Sequence, residues 1–194
     1  ELRKGIAKSC NSYFSNVYRR IIEKYPTAAE GMDVWSKHVQ SFGLGQYLGY
    51  DLPQGKKGLV PDAAFYNRWY PDGRWRATYT ISNAIGQGQI LTTPIQLANM
   101  TAAIANRGFF YTPHILKKVE GTPIRNPKYT QKHLTTIDEK HYKPVIEGMH
   151  DVFKTGTAKH VQLKTIEICG KTGTAENFKR IDGKKIQFED HSIF

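Results

Sequence analysis

Thr165-Ile166-Glu167-Ile168-Cys169-Gly170-Lys171-Thr172-Gly173-Thr174 begins as an alternating, β-branched run and ends in a glycine, a lysine and two hydroxyls. The first five residues predict a strand running into Gly170. Along such a strand the Lys171 ammonium and the hydroxyls of Thr172 and Thr174 can converge on a carboxylate. Gly173 carries no side chain, so another backbone can approach the strand closely. The backbone N–H of Thr174 can then point at a developing oxyanion. The set suits recognition and acylation of a peptide that ends in a free carboxylate. A competing reading is a phosphate loop, because Gly170-Lys171-Thr172 is the tail of G-x-x-x-x-G-K-[ST]. That pattern requires glycine at position 165, which is Thr165, and a loop where this chain is β-branched.

Ser9-Cys10-Asn11 lies far upstream, just ahead of an amphipathic stretch. A hydroxyl and an amide two residues apart can face one cleft, the first passing a proton and the second holding a substrate amide. The same residues also suit a plain helix cap. Phe14, Val17, Tyr18, Ile21 and Ile22 recur at helical spacing up to Pro26. Met32, Trp35, Val39 and Phe42 predict a second, shorter helix closed by Gly43. From Gly43 to Ser82 the chain is rich in Gly, Pro and aromatics and reads as a long connection with little regular structure.

Gly86-Gln87-Gly88 lacks the third glycine of a dinucleotide fingerprint, Leu91 standing in its place, and reads as a tight turn. It feeds a helix opened by Thr93-Pro94-Ile95-Gln96, where Thr93 can cap, Pro94 suits the first position and Gln96 can complete a capping box. Leu97, Met100, Ala103 and Ile104 form its expected buried stripe, and Gly108 its left-handed terminator. Tyr111 to Val119 reads as a short extended segment interrupted by Pro113. Tyr142, Val145, Ile146, Met149, Val152 and Phe153 predict another amphipathic helix, with Asp138 and Glu139 suited to its N-terminus. Lys185 to Phe194 reads as the return towards a second strand. No internal repeat and no domain boundary stand out.

The 194 residues suit one domain or a large piece of one, and their net charge of +11 is spread along the chain. Lys56-Lys57, Lys117-Lys118 and Lys184-Lys185 are not interleaved with stacking aromatics, which argues against nucleic acid. Cys10 and Cys169 give no disulfide framework and read as small buried side chains. The seven histidines show no metal-binding spacing, so no metal and no cofactor are expected. No apolar run is long enough to span a membrane, and no signal-peptide pattern opens the chain.

Ser9-x-Asn11 followed far downstream by Lys171-Thr172-Gly173 is the motif pair of penicillin-binding proteins and serine β-lactamases. Ile85 to Gly88, Leu91 to Ala98, Ala105 to Gly108, Glu147-Gly148-Met149, Gly156-Thr157-Ala158 and Gly170 to Asn177 follow one another as in class B penicillin-binding proteins. Phe42 to Gly45 and Gly49 to Pro53 fit as well, and the chain most resembles the elongation-type branch, penicillin-binding protein 2. The resemblance implies a mixed α/β transpeptidase fold of the β-lactamase-like kind, with helices packed on an antiparallel sheet. Residues 1–194 would then be a partial transpeptidase domain, incomplete at both ends.

The family also carries a nucleophilic Ser-x-x-Lys ahead of Ser-x-Asn, and no serine here has lysine three residues on. The isolated chain is therefore expected to be inactive, with that segment before Glu1 and the last strands and helix after Phe194. For the intact protein the resemblance implies a peptidoglycan D,D-transpeptidase that cross-links stem peptides ending in D-Ala-D-Ala and is trapped by β-lactams. Ser9 would relay a proton, Asn11 hold the substrate amide and Lys171 tune Ser9. The Thr172 and Thr174 hydroxyls would bind the terminal carboxylate, Gly173 would admit the substrate backbone, and the Thr174 N–H would form half the oxyanion hole. The implied setting is the extracytoplasmic, periplasmic side of a bacterial envelope. An inner-membrane anchor would lie outside this chain, and a glycosyltransferase and membrane proteins of the elongation complex would be partners. The alternative from another class is a non-catalytic β-lactam sensor or binding module of the same fold.

Overall fold

A computed structural model describes residues 1–123, 126–161 and 165–194. The first half carries α1 (Leu2–Ala7), α2 (Asn11–Ile22), α3 (Ala28–Gln40) and α4 (Ala63–Trp69), then a 3-10 helix over Ala77–Ile85. Next come α5 (Pro94–Ala105), β1 (Phe109–Phe110), β2 (Lys118–Val119), β3 (Thr122–Pro123), α6 (Pro127–Thr130) and β4 (His133–Leu134). A 3-10 turn over Glu139–His141 leads into α7 (Tyr142–Lys154). The chain closes with β5 (Gly173–Ala175), β6 (Phe178–Ile181), β7 (Lys184–Gln187) and β8 (His191–Ile193). These elements form two compact units, one of Glu1–Ser15 with Lys143–Phe194, the other of Asn16–Tyr142.

The fold class is the mixed α/β one expected, and among the described residues the strands form antiparallel pairs: β1 with β4, β2 with β3, β5 with β8, and β6 with β7.

In the Asn16–Tyr142 unit, helical spacing brings Tyr18 and Ile22 onto one face, against Met32, Ala63, Tyr66, Trp75 and Ala77. The polar groups of Tyr18, Tyr66 and Trp75 are paired, as burial requires, while Asn83 Oδ1 is buried without a partner. The Tyr18 hydroxyl lies 2.7 Å from Thr80 Oγ1, Asn83 Nδ2 donates to Tyr66 Oη at 2.8 Å, and Trp75 Nε1 donates to Asn67 Oδ1 at 2.8 Å. Burial pushes the Tyr18 phenol up to about 12.

The stretch from Gly43 to Ser82 is more regular than its composition suggests. Asp62 caps α4 by accepting from the Phe65 N–H at 2.7 Å, and Tyr66 and Trp75 from this stretch are buried in the core. The capping box on α5 forms as expected, but the buried stripe differs. Gln96, Asn99 and Ala103 are buried, while Leu97, Met100 and Ile104 are only half-buried. The reason is that the neighbouring connection exposes backbone carbonyls that need donors. Gln96 Nε2 donates to Gln46 O at 2.8 Å and to Lys57 O at 2.9 Å, and Asn99 Nδ2 donates to Phe42 O at 3.0 Å. After α5 both Arg107 and Gly108 have positive φ, at 58° and 118°, so the terminator begins one residue earlier than expected. Gly86 and Gly88, with φ of 74° and 71°, form the tight turn before α5. Only Lys118–Val119 of the extended segment forms a strand.

In the other unit, α1 packs on α7 through Ile6, Val152, Phe153 and Ala158. The approach is close because Gly156 has no side chain: a Cβ there would sit 2.2 Å from Ala7 O. At the rim, Arg3 reaches Glu147 at 3.1 Å and Asp151 at 2.8 Å. The strand expected over Thr165–Cys169 is absent, and the ladder begins at Gly173. Gly173 faces Ile193 in the antiparallel ladder, and among the described residues Thr165–Cys169 pair with no strand. The cysteines also differ from expectation: Cys10 is half-buried and Cys169 is exposed.

Candidate active site

Ser9 sits at the break between α1 and α2, with φ of 51°. A non-glycine residue rarely adopts this left-handed conformation, and such strain gathers at functional sites. Here it is held by Ser9 N–H donating to Ile6 O at 3.1 Å and Cys10 N–H donating to Gly5 O at 3.0 Å. The break turns Asn11 into the first residue of α2, where it is exposed. The Ser9 hydroxyl is engaged by Lys171, whose Nζ donates to Ser9 Oγ at 2.8 Å. Two motifs at opposite ends of the sequence thus meet at one hydrogen bond.

Lys171 is half-buried, and burial lowers its pKa below the ordinary lysine value. An ammonium has three donors. One goes to Ser9 Oγ, one to Thr172 O at 2.7 Å, and the third leans towards Thr172 Oγ1 at 3.5 Å. Because Lys171 supplies the hydrogen in its bond to Ser9, the Ser9 hydroxyl keeps its own hydrogen for another acceptor.

The approach to β5 is pinned from behind, where Gly170 N–H donates to Met149 O of α7 at 3.2 Å. A Cβ at Gly170 would lie 2.5 Å from Phe194 Cζ, so a larger residue there would make that exposed ring shift. Gly173 is different. A Cβ built on it would meet nothing closer than Ile193 at 3.7 Å, an ordinary contact. The fold of this chain does not demand glycine at 173, and the residue is exposed. Thr174 is exposed too, on β5 opposite Ser192. Thr172 Oγ1 lies 2.9 Å from Thr157 Oγ1.

The structure therefore brings Ser9, Lys171 and Thr172 into one hydrogen-bonded set, sets Gly173 and Thr174 on the strand that follows, and leaves Asn11 two residues beyond Ser9. A phosphate loop opens a helix, whereas Gly170-Lys171-Thr172 opens a strand, which removes that reading. Among the described residues no group of three or more His, Cys, Asp or Glu could hold a metal ion. No helix among them is long and apolar enough to cross a membrane. Sequence reasoning assigned no role to Thr157, although Gly156-Thr157-Ala158 stood among the ordered motifs.

The lysine of Lys171-Thr172-Gly173, just ahead of β5, thus donates to the serine of the Ser9-x-Asn11 turn, and the chain belongs to the penicillin-binding protein transpeptidase domain family over residues 1–194. Within that family the likeness is to the PBP2/MrdA type. The peptidoglycan D,D-transpeptidase MrdA of Acinetobacter baumannii is 33% identical over 187 residues, covering 95% of this chain and 26% of the relative. PBP2 of Pseudomonas aeruginosa, solved in complex with WCK 5153, superposes with a TM-score of 0.73 at 30% identity, over 89% of this chain and 37% of that one. PBP2 of Helicobacter pylori, solved in complex with MreC, gives 0.71 at 30% identity, over 90% and 30% of the two chains. The chain thus spans about a quarter of the length of that curated relative.

Proposed function

We propose that the protein is a peptidoglycan D,D-transpeptidase that cross-links stem peptides during cell elongation through a serine acyl-enzyme. The observation that carries this is the 2.8 Å bond from Lys171 Nζ to Ser9 Oγ in a chain of this family. The nucleophile would be the serine of a Ser-x-x-Lys motif, which residues 1–194 do not contain, attacking the carbonyl of the D-Ala-D-Ala bond. The amide nitrogen needs a proton as it leaves. Ser9 relays it, giving its own hydroxyl hydrogen, which Lys171 does not use, to the leaving nitrogen and taking up the proton that the attacking serine gives up. The terminal D-Ala departs, and an amine of a neighbouring stem attacks the acyl-enzyme to form the cross-link.

Asn11 holds the substrate amide. Thr172 and Thr174 hold the terminal carboxylate beside the Lys171 charge, and the Thr174 N–H serves as one oxyanion donor. The open side of Gly173 is where the substrate backbone would lie. β-Lactams would acylate the same serine. Domain residues 1–194 would form the carboxylate-binding and proton-relay part of the transpeptidase domain, acting on the extracytoplasmic side of the envelope. The MreC complex of the H. pylori relative supports an elongation-complex partner, and another similar structure, of a peptidoglycan synthase complex that coordinates polymerization and crosslinking, supports a glycosyltransferase partner.

The test is covalent labelling of the full-length protein by a fluorescent penicillin. Wild type should label, and Lys171→Ala should label about 100-fold more slowly, the scale of a lost electrostatic contact at the reacting centre. Unchanged labelling would remove Lys171 from the mechanism, and no labelling of wild type would remove the activity.

A further inference from the structure

We infer that Thr157 is a positioning residue of this site, a single residue that ties the Ser9 turn to the Lys171-Thr172 segment. The inference rests on the transpeptidase reading for its catalytic meaning and on hydrogen bonds for its geometry. Two bonds leave Thr157 in opposite senses. Its backbone N–H donates to Ala7 O at 3.1 Å, two residues before Ser9. Its hydroxyl meets the Thr172 hydroxyl at 2.9 Å, one residue after Lys171.

The Thr157 backbone is itself fixed. Gly156 is pressed against Ala7 O and against Val152, where a Cβ would lie 2.6 Å from Val152 Cα. Ala158 is buried and its N–H donates to Val152 O at 3.1 Å. Lys8, the residue directly before Ser9, donates from Nζ to Thr155 O. The segment directly after α7 therefore forms a bracket that holds the end of α1 through one backbone bond and the Lys8 ammonium, and reaches the approach to β5 through the Thr157 hydroxyl.

That hydroxyl has a chemical consequence. Thr172 owns one hydrogen to donate. If it were spent on Thr157, none would remain for a substrate carboxylate. With Thr157 as the donor in the pair, the Thr172 oxygen is held in place and its hydrogen points into the site. Thr157 thereby sets both the Ser9–Lys171 separation and the donor direction of Thr172, without touching substrate itself.

The experiment compares Thr157→Val, which keeps the shape and removes the hydroxyl, with Thr157→Ser, which keeps the hydroxyl, both in the full-length protein. Thr157→Val should slow penicillin acylation by about fivefold, the scale of one net hydrogen bond of about 1 kcal/mol. Thr157→Ser should stay within about twofold of wild type, since it retains that bond. The alkaline limb of the acylation profile should move upward in Thr157→Val and stay in place in Thr157→Ser, because a loosened site rehydrates Lys171. An NMR titration of the Lys171 ammonium gives the same readout without any substrate.

Equal rates and equal Lys171 titrations in wild type and Thr157→Val would overturn the inference. So would Thr157→Ser falling as far as Thr157→Val, which would make the methyl group and not the hydroxyl decisive. A wild type that takes no penicillin would sink the transpeptidase reading alone, and the NMR titrations would still decide Thr157. Should Thr157→Val not fold, Thr157→Ser must still match wild type in both readouts, and loss of either overturns the inference.

Discussion

The two units bury polar groups for different ends. In the Asn16–Tyr142 unit, buried side chains such as Gln96, Asn99 and Thr80 turn inward to satisfy other protein groups. In the unit that carries the site, Lys171 and Thr172 lie half-buried just before β5 and Thr174 lies exposed on it, and among the described residues that strand pairs with β8 alone. Its apolar cluster is small, with Ile6, Val152, Phe153 and Ala158 as its buried members. One unit turns most of its buried polar groups on itself, and the other gathers Ser9, Lys171, Thr172 and Thr157 into one partly exposed hydrogen-bonded set. A site has to withhold interactions from the fold in order to offer them to a substrate, and stability has to come from elsewhere.

That contrast can be broken by mutation. The largest expected effect on stability is at Met32, which is fully buried among Tyr18, Ile22 and Tyr66. Met32→Ala should cost about 3 kcal/mol in denaturant unfolding of the full-length protein, the scale for emptying a packed core position. The folded fraction should label with penicillin at the wild-type rate. A folded Met32→Ala protein that labels slowly would show that the aromatic unit reaches into the chemistry.

Lys171→Met is the mirror experiment. It replaces a partly desolvated charge with an apolar chain of similar length. Labelling should fall by about 100-fold. The unfolding midpoint should stay at or slightly above that of wild type, because the cost of burying the ammonium disappears. A clear loss of stability would mean that Lys171 serves the fold as much as the reaction.

What the sequence revealed follows the same division. Ser9, Asn11, Lys171, Thr172, Gly173 and Thr174 were singled out by the order of the Ser-x-Asn and Lys-Thr-Gly motifs, and the structure joins Ser9, Lys171 and Thr172 by hydrogen bonds. The capping box at Thr93 and Gln96 was legible because it is local. Burial of Gln96 and Asn99 was not, since apolar periodicity cannot register a carbonyl 50 residues away in sequence that needs a donor. The helix at Ala63–Trp69 was hidden by its setting among glycines and prolines, although Asp62 carried its cap signal. The strand at Thr165–Cys169 failed because β propensity describes a side chain and says nothing of whether a ladder partner exists. Thr157 was missed because a single threonine carries no pattern, and its role comes from two partners remote in sequence, Ala7 and Thr172.

The alkaline range separates the units by sign. The Tyr18 pKa is raised to about 12 by burial, so between its ordinary value of 10.0 and about 12 the unfolded chain loses that proton first. Stability held below pH 10 is then lost as pH rises, by an amount on the order of 2 kcal/mol, and Tyr18→Phe should abolish this part of the decline. Lys171 is displaced downward, so its unfolded form keeps the proton longer. Its contribution to stability therefore rises with pH just below the ordinary lysine range, while labelling falls there because the cation is lost. Urea unfolding followed by tyrosine absorbance, beside labelling rates at each pH, reads both. Stability and labelling that decline together in Lys171→Met as in wild type would erase the distinction.

Arg3 offers the smallest effect. It faces two carboxylates of α7, Glu147 and Asp151, but the guanidinium is solvent-exposed. Exposed pairs lose in side-chain ordering and salt screening most of what they gain in attraction. Arg3→Met should leave the unfolding midpoint unresolved from wild type at physiological salt, with any difference at low ionic strength fading as salt is added. Labelling should be unchanged, because the α1–α7 contact depends on Ile6 and on the backbone approach at Gly156. If Arg3→Met instead slowed labelling at every salt concentration, the rim would be what holds the Ser9 turn. The Thr157 bracket would then be secondary to it.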